Sequence, residues 1–85
     1  MIAVYIHNPH DQQCRELLLQ VREAFPRLEV YDFHTLKGIR HVQGAPCIWL
    51  FNDNQDVIAD EPVYRQDIDV DLDAAVQKYQ ELSQE

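Results

Sequence analysis

Eighty-five residues allow one domain (residues 1–85) with a core so small that nearly every apolar side chain must be used. Apolar residues make up 46% and charged residues 26%, an ordinary globular composition without a repeat, linker or low-complexity tract. Seven Lys and Arg face fifteen Asp and Glu, and a net charge of −8 argues against nucleic acid and against an anionic membrane surface as partners.

The chain opens on "MIAVYI", an apolar run too short for a signal-peptide core and with no basic residues before it. No run approaches the length of a membrane span, and two cysteines are too few for a secreted disulfide framework. The expected location is the cytoplasm. Ile2 to Ile6 reads as a strand buried on both faces. Asn8 and Pro9 then suit an N-cap and a first helical residue, with Asp11 in the first turn. Cys14, Leu17, Leu18, Val21 and Phe25 form one helical stripe that ends before Pro26.

Leu28, Val30, Tyr31 and Phe33 read as a second strand, parallel to the first because a helix joins them. Thr35 to Gln43 suggests a short helix or helical turn weakened by Gly38. "CIWLF" (Cys47 to Phe51) is an apolar strand, "NDNQ" a turn and "DVIA" the returning strand of a hairpin. Leu72, Ala75, Val76, Tyr79 and Leu82 mark a last helix, with Asp69, Asp71 and Asp73 around its N-terminus, where the dipole favours them. The acids of "NDNQDVIADE" and "DIDVDLD" read first as a solvated face and second as a cation site.

The order is β-α-β, a short helical connection, β-β and α. It predicts an α/β domain with a four-stranded mixed sheet whose strands, numbered along the chain, lie in the order 2-1-3-4. A ferredoxin-like arrangement would need another strand after the last helix, which "KYQELSQE" does not supply.

The segment "VQGAPCIWLFNDNQDVIA", together with this order, resembles the thioredoxin and glutaredoxin family, in which Val-x-Gly-x-Pro leads into an apolar strand and hairpin. The resemblance covers most of the chain as architecture, and about a quarter of it as shared motif residues. It implies a cis bond before Pro46 and a loop, Ala45 and Pro46, that faces an extended peptide. It also places Asp11, Gln12, Gln13 and Cys14 where the family carries Cys-x-x-Cys, and Tyr5 where the family has a buried acid. His7 and His10 fall where the family has tryptophans near the site. Asp11 cannot attack a disulfide, and its charge raises the pKa of a neighbouring thiol.

Cys14 reads as a small buried hydrophobe on its stripe, and Cys47 as a strand residue in the sheet. The functional alternative pairs Cys14 with Cys47 as a one-cysteine thiol oxidoreductase or redox sensor, which needs Cα atoms within about 7 Å. His7, His10 and Cys14 form an H-x-x-H-x-x-x-C pattern, but a strand end and a first helical turn need not converge on a metal. A glutaredoxin-type iron–sulfur cluster would need the missing first cysteine. His34 and His41 suggest no partner, and Trp49 reads as sheet-face packing.

No phosphate loop, nucleophile elbow or metalloprotease helix is present, and no cofactor or metal is expected. The expectation is a protein- or peptide-binding module, monomeric or weakly dimeric, with Ala45 and Pro46 as its peptide-facing loop. His10, Asp11 and Cys14 mark the displaced redox site.

Overall fold

The computed structural model describes residues 1–84. Its elements are β1 (Ile2–His7), α1 (Gln12–Ala24), β2 (Leu28–Asp32), α2 (Phe33–Leu36), β3 (Cys47–Phe51), β4 (Tyr64–Asp67) and α3 (Leu72–Ser83). The strands form one open mixed sheet in the order β2-β1-β3-β4. β1 runs parallel to β2, with Tyr5 opposite Val30, and antiparallel to β3, with Tyr5 opposite Ile48. β4 is antiparallel to β3, with Trp49 opposite Arg65.

β1 and β3 are continuous apolar runs because both faces of the central sheet are covered. On one face Ala3, Tyr5, Ile48 and Leu50 meet Val21 of α1, its C-cap Phe25 and Ala75 of α3. On the other, Val4, Ile6, Cys47, Trp49 and Phe51 meet Leu36, Val42 and Val57. Both long helices therefore share one face, and α2 with irregular segments covers the other. Leu72, Val76, Tyr79 and Leu82 turn the predicted stripe of α3 onto the first face. Asp71 caps this helix through the Ala74 amide. Gln66 of the edge strand β4 holds the same cap, donating to the Asp71 carbonyl and accepting from the Asp71 amide, both at 3.0 Å.

Three local expectations are corrected. "DVIA" is not a strand: Asp56 and Asp60 close a turn through Asp60 N–H to the Asp56 carbonyl, Asp56 N–H to Asp60 Oδ2 and Ile58 N–H to Asp56 Oδ1, each 2.8 Å. Arg40 Nη1 donates to the carbonyls of Val57, Ile58 and Asp60, so this backbone has partners without a ladder. Val57 still reaches the core. The returning strand is the polar "YRQD" of β4, and an edge strand tolerates that composition.

Second, Asn8 does not cap α1. Its side chain and carbonyl close a turn over Asn8–Asp11, through the His10 and Asp11 amides, and Asp11 is the cap. His10 therefore lies before the helix. Third, Phe33 belongs to α2 and not to β2, because the Asp32 carboxylate accepts the His34 amide at 2.7 Å and starts a helical turn there.

Trp49 is fully buried, as its place in the strand suggested. Its indole N–H donates to Asp67 at 2.9 Å, and the guanidinium groups of Arg65 and Arg40 lie over its ring at 4.6 and 4.9 Å. The cross-strand registers Trp49–Arg65 and Cys47–Asp67 put these side chains on one face of the sheet.

Candidate functional site

The site begins where β1 gives way to α1. A helix start leaves its first amides without intrahelical partners. Asp11 occupies the N-cap, and its Oδ1 accepts the Gln13 amide at 2.8 Å and the Cys14 amide at 3.4 Å. A carboxylate here satisfies both donors and complements the positive end of the helix dipole. Asp11 thus serves as an acceptor for the backbone it caps.

Behind the cap, Tyr5 is fully buried and its hydroxyl donates to the Cys14 carbonyl at 2.8 Å. Burial, with the neighbouring Cys14 and Asp11, pushes this phenol well above its ordinary value. It holds the first turn of α1 to the central strand.

The Ala45–Pro46 bond is cis, and both residues are half-buried. No hydrogen bond among the described residues uses the Ala45 amide or carbonyl. The Pro46 carbonyl accepts the Ile68 amide at 2.9 Å, tying the loop to the segment between β4 and α3. Ile68 has φ 68°, a left-handed conformation that is an outlier for a β-branched residue. Its side chain packs over Gly44, where an added Cβ would sit 3.2 Å from two Ile68 carbons. The turn is closed by Asp69 N–H to the Asp67 carbonyl at 2.7 Å and Val70 N–H to the Ile68 carbonyl at 3.2 Å.

Between these parts lies an open groove of about 450 Å³, lined by Gln13 and Leu17 of α1, by Pro46, and by residues 68–71. Of the residues singled out in the sequence, Pro46 lines the groove directly. Ala45 precedes it in the loop, and Asp11 lies two residues from the groove-lining Gln13. The sequence reading missed Gln13, Leu17, Ile68, Asp69, Val70 and Asp71. A signal was available in "DIDVDLD", where Ile, Val and Leu alternate with the acids. A solvated face has no use for that apolar alternation.

The two cysteines are free and fully buried. Cys14 sits on the first turn of α1, where its carbonyl accepts the Tyr5 hydroxyl, and Cys47 belongs to the cluster with Ile6 and Trp49; no disulfide joins them. The Cys47 thiol contacts the Gly44 carbonyl at 3.0 Å, and burial pushes it up to about 12. A neutral thiol with that environment is a poor nucleophile.

The histidines are dispersed. His7 stacks on Tyr5 with ring centroids 5.8 Å apart, His10 approaches His34 at 6.2 Å, and His41 is exposed. Among the described residues no three His, Cys, Asp or Glu side chains are grouped to hold a metal ion, and no helix is long and apolar enough to cross a membrane. Compared with protein-family models, curated proteins and solved structures, the chain finds no match.

Proposed function

We propose that this chain is a thioredoxin-like module that binds an extended peptide or protein segment and carries out no thiol chemistry. The observation that carries the reading is the groove at the junction of the α1 start, the Pro46 loop and residues 68–71, with Asp11 as a helix cap where a nucleophile would stand. The sheet order and the helix positions are compatible with that family's layout. The Ala45 backbone, with neither polar group used within the described residues, offers one donor and one acceptor to an extended chain beside an apolar wall. The partner would be a protein or peptide, and the protomer would work as a monomer or weak dimer.

Thiol catalysis with Cys14 and Cys47 gains no support from two cysteines that are both fully buried. Insulin reduction by dithiothreitol is the direct test, and no acceleration above the reductant alone is expected. A rate that the protein raises and that Cys14→Ser removes would replace the binding module with a one-cysteine enzyme.

A further inference from the structure

We infer that the groove takes an extended segment in which Lys or Arg flanks an apolar side chain, a reading that rests on the groove's being a peptide site. The groove has an apolar wall and an anionic rim. Leu17, Pro46, Ile68 and Val70 supply the wall, and Asp69 and Asp71 supply the carboxylates. No lysine or arginine lines it.

The two acids differ from the four that are ion-paired. Asp53, Asp67, Glu61 and Glu81 each lie within ion-pair distance of a cation. Asp69 and Asp71 form no ion pair among the described residues. Asp71 commits one oxygen to the Ala74 amide, and the Asp69 carboxylate makes no hydrogen bond there. Capping therefore explains Asp71 but not Asp69.

Carboxylates beside a low-dielectric wall in a concave site concentrate the local potential. With a net charge of −8 behind them, they favour a cationic segment and disfavour an acidic one. The apolar wall gives such a segment an anchor, and the Ala45 amide and carbonyl give its backbone a register.

The test uses the full chain and three fluorescein-labelled decapeptides that share a central Leu-Val pair and differ only in Lys, Ser or Glu flanks. Amide shifts of the ¹⁵N-labelled protein at Gln13, Leu17, Ala45 and Ile68 locate the binding. At low salt the Lys peptide is expected to bind about fivefold more tightly than the Ser peptide, from two partly exposed charge pairs. The Glu peptide should bind most weakly. Asp69→Asn with Asp71→Asn should bring the Lys peptide to the Ser peptide's affinity, and Asn at 71 preserves the cap. Glu23→Gln with Glu29→Gln, which remove two exposed charges outside the groove, should leave the Lys preference in place.

A Lys preference that survives the Asp69→Asn, Asp71→Asn pair overturns the inference and assigns the attraction to net charge. Equal binding of all three peptides with shifts in the groove overturns it too, but leaves the peptide groove standing. Absence of groove shifts with every peptide overturns both.

Discussion

Asp11 shows how one side chain organises a helix start. Its carboxylate takes two helix amides, so Asp11→Ala should cost about 1 kcal/mol in urea unfolding, whereas Asp11→Asn should stay within a few tenths. A loss of equal size in both variants would mean that charge at the helix start, and not the cap bonds, matters at this position. Cys47 makes a second prediction at this scale. Its folded pKa lies above its ordinary value of 9.0, so the unfolded chain loses the proton first as pH rises. The stability from the protonated, buried thiol is complete below pH 9 and is lost progressively toward pH 12. Urea midpoints measured across that window should fall for the native chain, and Cys47→Ala should flatten part of the fall. The raised Tyr5 phenol acts in the same direction from pH 10 upward.

Among the elements, the hairpin of β3 and β4 depends on Trp49. Its indole N–H bonds Asp67, and two guanidinium groups lie over its ring. Burial alone would raise the Asp67 carboxyl, but the bonds from Arg65 and Trp49, with the charge of Arg65, hold it below its ordinary 3.8. Trp49→Phe should therefore cost about 2 kcal/mol by thermal or urea unfolding, through a lost hydrogen bond and a small cavity. A cost near zero would show the stack to be incidental. The same hairpin marks where the sequence was legible and where it was not. β1, β3 and the stripes of α1 and α3 announce themselves because buried faces demand apolar residues at fixed periods. β4 carries Tyr, Arg, Gln and Asp because an edge strand's identity comes from its partner's register, which no local pattern encodes. "DVIA" misled for the opposite reason, since its apolar residues are buried from a turn. The Ala45–Pro46 loop was readable from its motif. The wall at Ile68 and the rim at Asp69 showed only as the alternation in "DIDVDLD"; their place in a groove was hidden, because the groove is made by three segments distant in sequence and only the fold brings them together.

Taken whole, the molecule covers its sheet unequally. α1 and α3 shield one face with regular helices, and α2 with turns shields the other. A core this small leaves little stability in reserve. Against that background Ile68 stands out, because it is 51% exposed and holds a backbone conformation that costs of order 1–3 kcal/mol for such a side chain. Ile68→Asn gives up modest burial and accepts positive φ readily, so its urea midpoint should equal or exceed that of the native chain while peptide affinity falls. A clear loss of stability would show that packing over Gly44 outweighs the backbone cost. Laboratory evolution would expose the same conflict. A library selected for heat resistance alone should enrich Asn or Gly at position 68, and, on the proposed peptide-binding reading, its hardiest survivors should be its poorest binders.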